Sequence, residues 1–189
     1  MAQTNPLQDM KQYKIVIAGE TGVGKTTLRL RYFGGKFTKN YIPTLGVDFS
    51  VMRKKVSEGS YAEIQVWDMA GQMTFQSLRK RFFLGASSLF LVYDITNRET
   101  FEKLFEWFDD FWVSYNNRPD VPLVLIGNKI DLGNPQVSKE EMDGFWEEVR
   151  TNYPEFKGKT TSIYTSALNG YNVREVFDLT VQEISKLYK

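Results

Sequence analysis

Gly19-Glu20-Thr21-Gly22-Val23-Gly24-Lys25-Thr26 fits the pattern G-x-x-x-x-G-K-[ST]. The run before it, Tyr13-Lys14-Ile15-Val16-Ile17-Ala18, reads as a strand, and a helical pattern opens at Lys25. A glycine-rich turn between a strand and a helix is the context in which this pattern holds phosphate. Glycines let the loop fold back so that its N–H groups face the β- and γ-phosphates, and the helix N-terminus adds its positive dipole end. Lys25 neutralises phosphate charge, and the Thr26 hydroxyl is suited to Mg²⁺. The candidate phosphate-binding set is Glu20, Thr21, Gly22, Val23, Gly24, Lys25, Thr26 and Thr27. The loop alone does not separate GTP from ATP, or a switch from a kinase.

Working outward, apolar runs alternate with helical patterns. Strands are predicted around Asp48–Val56 (alternating, as at a sheet edge), Glu63–Asp68, Leu89–Tyr93, Leu123–Ile126 and Thr161–Thr165, with a turn at Glu58-Gly59-Ser60. The runs Leu89–Tyr93 and Leu123–Ile126 are nearly continuous in apolar residues, the mark of strands buried on both faces. Helices are predicted from Lys25, over Glu99–Tyr115, over Lys139–Asn152, and from Val173 to the C-terminus, where Val173, Val176, Phe177, Thr180, Val181, Ile184 and Leu187 share a face. This order implies an α/β domain: a six-stranded, mostly parallel sheet flanked by helices. Residues 1–11 read as a loose tail and 12–189 as one domain, in keeping with a length of 189 residues.

Sheets of this kind bind ligands at the carboxyl ends of their strands, and the remaining motifs follow strand ends. Asp68-Met69-Ala70-Gly71-Gln72 follows the third strand. An aspartate there can hold magnesium through water, and Gly71 lets backbone approach the γ-phosphate. Alone, Asp-x-x-Gly is an ordinary turn; its place after a phosphate loop favours function. Asn128-Lys129-Ile130-Asp131 follows the fifth strand. A carboxylate at Asp131 can accept from both N1–H and the 2-amino group of guanine, whereas adenine would leave that charge unpaired. The Lys129 stem can lie along the base. Thr165-Ser166-Ala167, after the last strand, offers backbone N–H groups for guanine O6 and carries meaning only in this order.

Composition excludes several chemistries. The chain has no cysteine and no histidine, so it has no disulfide, thiolate nucleophile, imidazole base or Cys/His zinc site. Apolar residues make up 42%, charged residues 25%, and net charge is +1, the balance of an ordinary globular protein without long-range attraction to nucleic acid. The expectation is a cytoplasmic monomer with no nucleic-acid partner.

In this order and spacing the motifs resemble those of the Ras-superfamily small GTPases over roughly residues 12–187, and the Rab branch most. Tyr41-Ile42-Pro43-Thr44-Leu45-Gly46-Val47-Asp48-Phe49 resembles Rab switch I and the strand after it; Trp67–Gln72 resembles switch II, and Leu91–Thr96 and Phe101–Leu104 with Trp107 resemble further Rab segments. The resemblance implies a switch that binds GTP or GDP with Mg²⁺, hydrolyses GTP slowly, and binds effectors in the GTP form. It implies metal ligands Thr26 and Thr44, with Asp68 acting through water. It implies γ-phosphate contacts from the Thr44 and Gly71 amides and a water-orienting Gln72, so that Gln72, Lys25 and Thr44 carry catalysis. Phe37 would stack on guanine, Tyr41 would close over the phosphates, and Phe49, Trp67 and Phe82 would form an effector-reading aromatic triad. An exchange factor and a GTPase-activating protein are implied, and so is a role in vesicle traffic. The competing readings are a phosphate-loop kinase or ATPase, and a non-catalytic nucleotide-binding scaffold.

The sequence also departs from the Rab pattern. Met73-Thr74-Phe75 stands where Glu-Arg-Phe is typical, and Phe82-Phe83-Leu84-Gly85-Ala86 replaces a Tyr-Tyr-Arg-Gly-Ala-like segment. Thr21 stands where Ras has glycine; its branched side chain would crowd a trans-acting arginine, so an activator should stimulate Thr21→Gly more strongly. Arg79 and Arg81 read as solvated loop residues rather than a built-in arginine finger. No prenylatable cysteine is present, so the chain as it stands carries no lipid anchor, and peripheral membrane attachment would need a C-terminal tail that had been removed.

Overall fold

The computed structural model describes residues 10–35, 44, 46–71, 76–114 and 119–188. Six strands form one sheet: β1 (Lys11–Ala18), β2 (Val47–Ser57), β3 (Ser60–Met69), β4 (Ser88–Asp94), β5 (Leu123–Asn128) and β6 (Thr160–Thr165). Their order is β2-β3-β1-β4-β5-β6; only β2–β3 is antiparallel. The alternating strand is indeed the edge, and the continuous apolar runs are interior. Gly59, at φ +71°, makes the β2–β3 turn.

Successive side chains of β1 leave opposite faces, and each face has its own core. Ile15 and Ile17 point to the side covered by α1 (Lys25–Tyr32) and α6 (Val173–Leu187), packing with Leu28, Phe177, Val181 and Ile184. Val16 and Ala18 point to the side covered by α2 (Gln76–Phe83), α3 (Arg98–Glu102), α4 (Leu104–Ser114) and α5 (Lys139–Asn152), packing near Phe83, Trp107, Phe111 and Trp146. The α6 residues predicted to share a face are buried, except that Leu187 is 43% exposed. A capping box between Ser138 and Glu141 fixes the start of α5.

Two helical expectations are corrected. The helix predicted from Glu99 is two pieces, broken at Lys103, whose ψ of −9° departs from helical geometry while its amide still bonds Glu99 O; Tyr115, its predicted end, lies outside the described residues. In addition, Gln76–Phe83, not predicted as a helix, forms α2. Among the described residues no helix is long and apolar enough to cross a membrane.

Candidate functional site

The carboxyl ends of β1, β3 and β5 bring the predicted motifs together, with the end of β4 and the β6–α6 loop beside them. The loop 19–24 leaves β1 and turns into α1 through Gly24, which has φ +101°. A Cβ at Gly24 would lie 2.3 Å from Asn128 Nδ2, so only glycine allows the loop and β5 to approach this closely. The Lys25 side chain curls back into the loop: Nζ donates to Gly19 O and Glu20 O at 2.7 Å each, and the residue is buried. Burial lowers its ammonium to about 8, against the pull of Asp68 and Glu20. On the far side of the loop, Glu20 accepts from Trp107 Nε1 on α4.

Beside Lys25 lies a cluster of hydroxyls around one buried carboxylate. Thr26 Oγ1 and Thr44 Oγ1 are 2.8 Å apart, Thr26 Oγ1 donates to Asp68 Oδ2, and Thr44 Oγ1 lies 3.4 Å from the same oxygen. Asp68 is fully buried, and its Oδ1 makes no hydrogen bond among the described residues. Burial raises the Asp68 carboxyl; the Thr26 hydroxyl, Lys25 and Arg29 pull it down, and Asp48 adds to the rise. An octahedral Mg²⁺ with oxygens at about 2.1 Å sets neighbouring ligands about 2.9 Å apart, and the two threonine hydroxyls match that spacing. No group of three or more His, Cys, Asp or Glu able to hold a metal occurs among the described residues. A cation here would therefore use hydroxyls, one carboxylate and substrate oxygens, which is the donor set of magnesium on a nucleotide.

Gly71 closes the other side. A Cβ there would sit 2.2 Å from Thr21 N and 2.5 Å from Glu20 C, so the start of switch II lies directly on the phosphate loop. Gln72, Phe37 and Tyr41 lie outside the described residues, as do Met73-Thr74-Phe75.

At the base end Asn128 is the hub. Its Nδ2 donates to Val23 O at 2.8 Å, and its Oδ1 accepts from Thr165 Oγ1 at 3.0 Å and the Ala167 amide at 3.1 Å. The Ala167 amide, expected to meet guanine O6, is thus engaged by Asn128, and the Ser166 amide donates to Tyr171 O. Asp131 accepts from Ser166 Oγ. Lys129, in the left-handed region at φ +72°, reaches Asp94 Oδ2 at 2.5 Å. Partial burial works to raise the Asp94 carboxyl, but Lys129 and the Thr96 amide and hydroxyl outweigh it and hold it below the usual range.

A Ras family model matches residues 14–186. The chain belongs to the Ras family. Similar proteins include "Ras-related protein Rab-7a" of Dictyostelium discoideum, 37% identical over 92% of this chain and 83% of that protein. "Ras-related protein Rab7" of Pisum sativum is 38% identical over 92% and 82%, and "Ypt/Rab-type GTPase YPT7" of Saccharomyces cerevisiae is 40% identical over 87% and 77%. This Ras-family protein is of the Rab branch: a small GTPase that binds GTP and GDP, hydrolyses GTP and works as a molecular switch. The kinase, ATPase and inert-scaffold readings are not favoured.

In this small GTPase the three candidate effector aromatics form one cluster. Phe49 is 55% exposed and stacks on Trp67 at 5.4 Å; Trp67 meets Phe82 at 6.3 Å. Lys14 Nζ lies 4.2 Å over the Trp67 ring and donates to Leu84 O at the end of α2. Sequence reasoning missed Asp94 as the partner of Lys129, Trp107 as the donor to Glu20, and Arg29. It also read Arg79 as solvated, whereas Arg79 pairs with buried Asp110 at 2.7 Å and lies 4.7 Å over Trp107. The available signal was a charged or hydrogen-bonding residue on an otherwise buried helix face or strand end.

Proposed function

We propose that GTP lies with its phosphates along residues 20–27 and its guanine against Asn128, Lys129, Asp131, Ser166 and Ala167, with Mg²⁺ held by Thr26 and Thr44 and, through water, by Asp68. The observation that carries this reading is the 2.8 Å approach of the Thr26 and Thr44 hydroxyls beside the Asp68 carboxylate. Thr44 comes from the switch I segment, so a ligand that holds it to Thr26 couples that segment to nucleotide state. Lys25, anchored by two loop carbonyls, has a third N–H for a phosphate oxygen. Gly71, seated on the phosphate loop, brings its amide within reach of the γ-phosphate, and Gln72 orients the attacking water. The metal supplies charge neutralisation at the transferring phosphoryl group. Loss of the γ-phosphate releases Thr44 and Gly71 together. The aromatic cluster of exposed Phe49 with half-buried Trp67 and Phe82 is the surface an effector reads, with an exchange factor and an activator as further partners. Vesicle traffic and peripheral membrane association are what the Rab relationship carries over.

Two measurements test this. Denaturing the purified protein should release GDP or GTP near one per chain; adenine nucleotide would overturn the base assignment. Single-turnover GTP hydrolysis should run on the order of 10⁻⁴–10⁻³ s⁻¹ without an activator, and Gln72→Leu should be slower. Equal rates would remove Gln72 from its role.

A further inference from the structure

Arg29 is the buried cation that the nucleotide site does not account for. It stands one turn after Thr26 on α1 and is 4% exposed. Its guanidinium leaves the helix towards the β2–β3 hairpin. Nη2 donates to the Asp48 carboxylate, Nη1 donates to Ser50 Oγ at 2.5 Å, and Nε lies 4.0 Å from Asp68 Oδ2. Nε makes no hydrogen bond among the described residues.

The reason for a cation here lies in the strand register. Asp48 and Asp68 are directly opposite each other across the antiparallel β2–β3 pair, so their side chains share one face. Like charges in that position repel; Asp48 is open to water, but Asp68 is fully buried, so water screens only the outer member of the pair. The guanidinium stands between the two carboxylates. It hydrogen-bonds the outer one, where switch I enters β2, and faces the inner one, which the preceding reading assigns to Mg²⁺.

We propose that Arg29 is a built-in counter-ion of the metal site, a positioning residue that keeps Asp48 and Asp68 together and lowers this protein's dependence on Mg²⁺ for retaining nucleotide. The proposal rests on the reading of Asp68 as the magnesium partner. With Arg29 present, loss of the metal leaves one of the pair's two negative charges still offset. Without it, only Lys25 and the metal remain to offset the pair, so the metal-free state is penalised and the metal-bound state is favoured.

The test compares release of fluorescently labelled GDP in millimolar Mg²⁺ and in excess EDTA, taking the ratio of the two rates for each protein. Arg29→Met keeps the buried stem and removes the charge. Its ratio should exceed the wild-type ratio by about tenfold, as expected for one unit charge a few ångströms from a divalent ion. Arg29→Lys should stay near wild type, and adding Asp48→Asn to Arg29→Met should bring the ratio back down. A purely structural role would speed release in both buffers and leave the ratio unmoved. If Arg29→Met does not fold, Asp48→Asn alone decides, because it leaves Arg29 to Asp68 and must reduce the ratio below wild type; an unchanged ratio overturns the proposal. Equal ratios for wild type and Arg29→Met overturn it while leaving the metal site intact. Release indifferent to Mg²⁺ in every protein sinks the metal assignment itself.

Discussion

The Trp107 indole on α4 donates from Nε1 to Glu20 Oε1 of the phosphate loop across 3.0 Å. The same ring carries Arg79 of α2 over its face, and Arg79 pairs with Asp110 one turn further along α4. One aromatic side chain therefore touches both the loop that holds phosphate and the helix that follows switch II. Trp107→Phe keeps an aromatic side chain but deletes the donor and the second ring of a buried indole. The lost hydrogen bond to a charged group should cost about 1.5–3 kcal/mol, and the cavity left by the missing ring adds to that loss, measured by urea unfolding. In a double-mutant cycle with Glu20→Ala, which removes the acceptor, the hydrogen-bond part of that loss should appear as coupling.

Asp131 should decide which base enters. Asp131→Asn loses the charged acceptor for N1–H and the 2-amino group, so GDP affinity should fall by about 100-fold or more. Xanthosine diphosphate, which carries an oxygen where guanine has that amino group, should bind the variant better than it binds wild type. Competition of both nucleotides against labelled GDP gives the comparison.

Gly71→Ala tests the seat of switch II. The added methyl would overlap the Thr21 amide at 2.2 Å, against backbone that cannot swing aside. The variant should fold and bind GDP, but lose about tenfold or more in preference for GTP over GDP, the size of one lost hydrogen bond to a charged group. Parallel titrations with GDP and a non-hydrolysable GTP analogue read this out; equal affinity changes would separate Gly71 from the γ-phosphate.

Lys14 predicts a pH response. Burial lowers its ammonium from 10.5 to about 8. Between about pH 8 and 10.5 the unfolded chain then holds more of this proton than the folded protein, so Lys14 makes stability rise with pH across that window. Below about 8 both states are protonated and its contribution is constant. Buried tyrosines work the other way above about pH 10: burial raises Tyr32 and Tyr93, so the folded state keeps protons that the unfolded chain has lost. Subtracting the melting profile of Lys14→Met from that of wild type at pH 7–10 should isolate a positive slope. A flat difference would contradict the assignment.

Much of this was legible from residues alone. The continuous runs at 89–93 and 123–126 could only be interior strands, and Ser138 with Glu141 opens α5 at the predicted residue. The phosphate loop, Asp68 and Asn128–Asp131 follow strand ends, where the sheet gathers them. α2 escaped because its short run carries only Leu78 before Phe82 and Phe83, too little pattern to read as a helix; packing of Phe83 against Phe111 of α4 supplies what periodicity does not. The break at Lys103 escaped because a change of ψ at one residue leaves no mark on composition. Arg29, Asp94 and Trp107 were missed for a common reason: their meaning lies in partners 19 to 87 residues away, which spacing along the chain does not reveal.

The Asn128 hub sets an order for the assembly of the domain. Its amide joins Val23, 105 residues earlier, to Thr165 and Ala167, 37 and 39 residues later. Contacts that distant close slowly, since loop entropy must be met before they reward it. A chain still emerging from the ribosome has its phosphate loop early, yet it has no base pocket until β6 and the turn after it have been made. If guanine sits where the proposed site puts it, its recognition is among the last things this protein acquires as it folds, because the Asn128 hub is incomplete until Ala167 has been made.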